Sequence, residues 1–166
     1  ELATHGGSLR IFGCHSGASH GLTPRAKTVF AEEYEQGLDN INYYETFQTR
    51  TDNIKYEFIN FLIGAKKSKK TVAAYGAAAK GNTLLNYAGI KTDLLPFICD
   101  AAESKHGKFA PGSHIPILKP SELKKRPIDY LVILPWNLAE EIKQQLNGII
   151  SSKTRFVTAV PKMKII

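Results

Sequence analysis

The chain is poor in the residues from which metal sites and disulfide frameworks are made. It has two cysteines in 166 residues, Cys14 and Cys99, and no CxxC spacing. That excludes a disulfide scaffold and a zinc ribbon, and it suits a reducing cytoplasm. The five histidines show no HxxxH spacing, so no metal is expected in this chain. No apolar run approaches the roughly 18 residues of a spanning helix. The longest apolar stretches, near residues 54–64 and 128–135, are far shorter, and a membrane partner is not expected. No signal peptide opens the chain, which begins at Glu1 rather than Met; it reads as a piece cut from something longer. Internal repeats and low-complexity segments are also missing.

What is there is a globular composition. A hydrophobic content of 43% with 22% charged residues argues against disorder. A chain of this length can bury roughly 70% of its unfolded surface without staples. Charge is divided unevenly. Residues 1–64 hold 5 Lys and Arg against 8 Asp and Glu, whereas residues 65–166 hold 17 against 7. The second part has a field that attracts anions such as nucleotides and phosphates, unless its lysines only solvate the surface. The run from Lys66 to Lys70 has no interleaved aromatics, so it reads as a solvated linker and nucleic acid is not expected.

Residues 7–12 read as a strand and 16–23 as a loop. Pro24 opens a helix that Gly37 stops, and apolar residues at helical spacing predict a second helix over 40–64. Residues 64–70 read as a connector. After Lys70 the pattern changes to strands at 71–75, 94–99, near 114–118, at 129–134 and at 155–160. Helices are expected at 80–88, from Pro120, and from an Asn137 cap. Apolar strands alternating with helices predict a Rossmann-like, doubly wound, mostly parallel α/β sheet. The implied organisation is a seam strand and loop over 1–22, a helical segment over 23–69 and the α/β domain over 70–166, all in one globular unit.

The sharpest local signal runs from Gly76 to Gly81, where Gly76, Ala78 and Gly81 stand at the three positions of a GxGxxG fingerprint. It follows a predicted strand and opens a predicted helix, the context in which such a turn presents free N–H groups to an anion. Asp100 closes the next strand, where a ribose-binding acid would stand. The methyl of Ala78 replaces the middle glycine, and Asn82 replaces the lysine of a phosphate-binding loop, so phosphoryl transfer is not expected. An anion site, a dinucleotide site and a glycine turn that only packs helix on sheet all stay open. A second signal is His5-Gly-Gly-Ser8-Leu-Arg10, which supplies a base, a hydroxyl and a cation but no triad. Loops carrying Lys108, His114, Trp136 and Asn137 follow strand ends, where open α/β sheets bind ligands.

Taken in order, THGGSLRIF (4–12), YGAAAKGNTLLNYAGI (75–90), a strand ending in Asp100, KHGKFAPGSHIPI (105–117) and DYLVILPWN (129–137) followed by AEEI resemble one family. It is the C-terminal domain of the S-adenosylmethionine-dependent sugar C-methyltransferases, which act on nucleotide-linked deoxy- or keto-sugars. The resemblance implies a zinc-binding domain and a central methyltransferase domain elsewhere in the same chain. S-adenosylmethionine would bind the central domain, and a base there would take the proton alpha to the keto group. It further implies that a nucleotide-diphosphate sugar lies against the present chain. The substrate-binding set expected here is His5, Ser8, Arg10, Gly76, Ala77, Ala78, Lys80, Gly81, Asn82, Asp100, Lys108, His114, Trp136 and Asn137. The resemblance implies no catalytic residue, no zinc and no S-adenosylmethionine in this chain. Two other readings remain open: an autonomous NAD(P)- or CoA-binding module, and a non-enzymatic interaction domain.

Overall fold

The computed structural model describes Leu2 and residues 7–166. Contacts divide the chain into two compact units, Glu1–Asp52 and Asn53–Ile166.

The first unit is helical. Helix α1 spans Pro24–Glu35; Thr23 Oγ1 accepts from the Ala26 amide and Pro24 occupies the first turn, the position where its missing N–H costs nothing. Helix α2 spans Ile41–Glu45 and is capped by Asn40, whose side chain accepts from the Asn42 amide at 3.0 Å. Helix α3, Phe47–Lys67, starts here and continues into the second unit. The single helix expected from residue 40 is therefore two, divided at Thr46, which closes α2. The expected strand at 7–12 does not form. Ser8 forms an isolated bridge with Leu2. Gly7 turns the backbone at φ 116°, and Ile11 and Phe12 are exposed, so these residues have the composition of a strand without a sheet to join.

The second unit is a Rossmann-like α/β fold. Its strands are β1 (Val72–Tyr75), β2 (Ile98–Cys99), β3 (Ile117–Leu118), β4 (Tyr130–Ile133), β5 (Arg155–Thr158) and β6 (Lys164–Ile165). They lie in the order β3-β2-β1-β4-β5-β6. All pairs are parallel except β5 with β6. The chain leaves β1 towards β2 on one side and returns to β4 on the other, so the direction of winding reverses between β1 and β4. Helices α4 (Ala79–Tyr87) and α5 (Ala139–Gln145) complete the unit.

Alternate residues of β1, β2, β4 and β5 feed two cores. Val72, Ala74, Ile98, Val132 and Val157 pack with Phe58 and Leu62 of α3 and with Leu84 and Leu85 of α4. Ala73, Tyr75, Cys99, Leu131 and Ile133 pack on the other face with Leu123, Ile142 and Leu146. A sheet covered on both faces has to be apolar at nearly every position, which is why its strands read as continuous runs.

Several boundaries move. The connector expected at 64–70 is helix up to Lys67. Ala65 is buried there, and Lys66 and Lys67 stand in the last turn, where cations favour the helix dipole. Lys69, at φ 56°, ends it. Strand β2 begins four residues later than expected, because Pro96 has no N–H to give a ladder. Residues Pro120–Lys125 form a 3-10 helix. Asn137 does not cap α5; it lies in a 3-10 turn, Trp136–Leu138, and Leu138 holds the cap position without a side-chain bond.

The amino ends of β1 and β4 are clamped together. Asp129 Oδ2 accepts from the Thr71 amide and hydroxyl, both at 2.8 Å, and Lys70 Nζ donates to Oδ1 at 2.9 Å. The Lys70 bond, followed by those of Thr71, pulls the Asp129 carboxyl down to a pKa of about 2.

Candidate functional site in the crevice between β1 and β4

In an open parallel sheet the ligand crevice lies beyond the carboxyl ends of the strands, where the winding reverses. Here it is walled by the Gly76–Asn82 turn after β1 and by Pro135–Asn137 after β4. Gly76 sits at φ 87°, and a Cβ there would stand 2.5 Å from Pro135 Cδ. A Cβ on Gly81 would stand 2.5 Å from Leu134 Cβ. Both glycines are thus required by close packing between the two walls, whatever ligand the turn receives.

Helix α4 begins at this point. Its cap residue is Ala78, which makes no side-chain cap bond. The N–H groups of the first turn have no acceptor within the helix and carry its positive end. Lys80 belongs to that turn. Its ammonium is held by Asn137 Oδ1 and lies 5.2 Å from the Trp136 ring centre, a cation–π distance. The exposed Lys80, from the first turn of α4, and the half-buried Trp136 and Asn137, from the turn after β4, therefore form one cluster.

Beneath the turn is a cavity of about 40 Å³ lined by Ala77, Ala78, Asn82, Ala110, Pro111 and Leu134, among others. Asn82 Oδ1 is buried without a hydrogen-bond partner, and a water or ligand hydroxyl entering the cavity would satisfy it. Lys108 and His114 are carried by the hairpin that supplies Ala110 and Pro111. His114 is left-handed at φ 57°, and its ring lies 6.4 Å from that of the exposed Phe109. The hairpin is tied to α4 and to the turn after it: Asn86 Nδ2 donates to Pro111 O at 2.9 Å and Lys91 Nζ donates to Gly112 O.

Asp100 is 7% exposed and turns inward. Its Oδ2 accepts from the Ala77 amide at 2.6 Å and from Lys105 Nζ at 3.0 Å, while Oδ1 accepts from the Ala102 amide at 2.8 Å. Lys105 Nζ also donates to Ala77 O at 3.1 Å, and His106 Nε2 lies 2.7 Å from Asp100 O. Lys105, His106 and Asn86 are absent from the sequence-derived set. Lys105 and His106 belong to the loop after Asp100, but nothing in their spacing marks them as its partners, and Asn86 reaches the hairpin from α4.

His5 lies outside the described residues. Ser8, half-buried in its bridge with Leu2, and Arg10, exposed, belong to the first unit; the crevice is built from the second. Among the described residues no cluster of ligating side chains could hold a metal, and no helix is long and apolar enough to cross a membrane. Burial pushes the Cys99 thiol up to about 12 and raises Tyr75, with a further push from Asp100. Both groups are therefore protonated near neutrality, and both lie in the core on one face of the sheet.

Comparison with known proteins adds two findings. A family model described as the C-methyltransferase C-terminal domain matches residues 3–161. The chain is similar to the C-methyltransferase NovU of Streptomyces niveus, with 33% identity over 162 residues. That match covers 98% of this chain but 39% of NovU, so the chain spans well under half the length of this curated relative.

Proposed function

The chain belongs to the C-methyltransferase C-terminal domain family, and from that premise we propose that it is the substrate-holding part of a sugar C-methyltransferase. The ligand is a nucleotide-diphosphate sugar. Its diphosphate rests on the first turn of α4 beside Lys80, and Trp136 flanks it. Lys80 acts as a point charge. The observation that carries this reading is the placement of Lys80, on an uncapped helix start, at the crevice where the winding reverses. The net positive charge of residues 65–166 supports it by drawing anions inward.

Methyl transfer itself belongs to other parts of the protein in this reading. The acid after β2 already accepts from Ala77, Ala102 and Lys105, which leaves too few acceptor sites to hold both hydroxyls of an adenosine ribose. S-adenosylmethionine, which supplies the methyl group, is therefore assigned to the domain outside this chain, and the chain alone is expected to be inactive.

Calorimetric titration with a thymidine diphosphate sugar, inorganic pyrophosphate, NAD and S-adenosylmethionine tests the reading. Uptake of the sugar nucleotide and pyrophosphate is expected, with about tenfold loss in Lys80→Met and no response to S-adenosylmethionine. Tight NAD uptake instead would make the chain a dinucleotide module. Silence towards all four would leave an interaction domain.

A further inference from the structure

The crevice already contains an anion, and it is part of the protein. The Asp100 carboxylate, its side chain 9% exposed, bonds the amide of Ala77, two residues before α4 begins. A fixed negative charge at that place repels an incoming phosphate and draws on the same positive helix end. One group answers it. Lys105 places its ammonium 3.0 Å from Asp100 Oδ2 and 3.1 Å from Ala77 O, so a single cation closes on the carboxylate and on the peptide it holds.

We infer that Asp100 and Lys105 are a positioning pair for the phosphate site. Asp100 fixes the turn by holding the Ala77 N–H, and Lys105 cancels the charge this introduces, so the first turn of α4 stays attractive to phosphate. Neither residue touches the ligand. The inference rests on the phosphate reading proposed above and adds a specificity to it. A carboxylate that already accepts three bonds has one of its roughly four acceptor sites left, too few for both hydroxyls of a ribose diol, so the crevice takes a diphosphate without selecting a dinucleotide.

The signs of the effects separate this role from a merely structural one. Wild type, Asp100→Asn, Lys105→Met and the double variant are titrated with inorganic pyrophosphate, and a melting curve of each confirms folding. Asp100→Asn keeps an oxygen for the Ala77 amide, gives up the bond from the Ala102 amide and loses the charge, so with the turn still held at Ala77 it is expected to bind about threefold tighter. Lys105→Met leaves the carboxylate uncompensated and is expected to bind about tenfold weaker, with the double variant back within about threefold of wild type. If Lys105→Met does not melt cooperatively, Lys105→Gln takes its place, since it keeps a donor for Ala77 O. Equal weakening by both single changes, without recovery in the double, would overturn the inference while the phosphate site stood. Loss confined to Asp100→Asn would overturn it too and make Asp100 a ligand contact. A wild-type chain that takes up no pyrophosphate would overturn the phosphate reading, and the inference with it.

Discussion

The two ends of the sheet carry the same device and use it differently. At the amino end Asp129 bonds the backbone of Thr71 and pairs with Lys70. At the carboxyl end Asp100 bonds the backbone of Ala77 and pairs with Lys105. Each is an aspartate fastening the neighbourhood of β1 with one lysine in attendance. The first joins two strand starts at the surface, where the Asp129 side chain is 34% exposed. The second is nearly buried and stands beside an uncapped helix start, a second lysine and a cavity. Residue type alone does not distinguish them. Their position relative to strand direction does, because only the carboxyl ends open into the crevice.

The comparison can be broken most forcefully at the carboxyl end. Gly76→Ala would drive a methyl into the Pro135 ring at a left-handed backbone position, and it is expected to cost about 3 kcal/mol. Gly89→Ala is its control: Gly89 is also left-handed, at φ 67°, but faces open space, so about 1 kcal/mol is expected from conformation alone. Equal losses in urea unfolding would show that close approach to Pro135 contributes nothing.

A smaller effect is expected at the amino end. Asp129→Ala should cost about 1 kcal/mol, a figure discounted because the group is partly exposed and screened, and should leave pyrophosphate affinity untouched. The Asp129 carboxyl is lowered from 3.8 to about 2 in the folded chain. Its contribution is therefore complete above about pH 4 and disappears as the pH falls towards 2. Wild type and variant should converge in stability across that window; a constant gap down to pH 2 would mean that the carboxylate charge plays no part. The smallest effect belongs to Lys70→Met. Lys70 is half exposed, so a slight drop in melting temperature at low salt should vanish in concentrated salt. A drop that survives salt would place Lys70 closer in kind to Lys105 than to a surface cation.

Much of this architecture is legible in the amino-acid order, for a physical reason. Strands buried on both faces have to be apolar throughout, so β1, β4 and β5 stand out as runs. The two-residue strands β3 and β6 lack that signature; β3 could be placed only as a short extended piece, and β6, which joins by antiparallel pairing with β5, could not be seen at all. The glycines at 76 and 81 are visible in the sequence, with packing of helix on sheet as one open reading of them; the residues they pack against are not, since Pro135 and Leu134 lie more than fifty residues away. Asn137 has the composition of a helix cap, and only the fold reveals that its side chain serves Lys80. Lys105 and His106 stand in the loop that the sequence places after Asp100, but what matters is the carboxylate they meet, and sequence spacing across a loop does not encode that meeting.

Trp136 is the one indole in the chain, and it stands beside the ammonium of Lys80. The protein thus carries an optical probe at the mouth of its crevice, with no second indole to dilute the signal. Ultraviolet emission excited at the red edge of the aromatic band reports from this place alone. The field around one side chain can be followed by light, in real time and without a label.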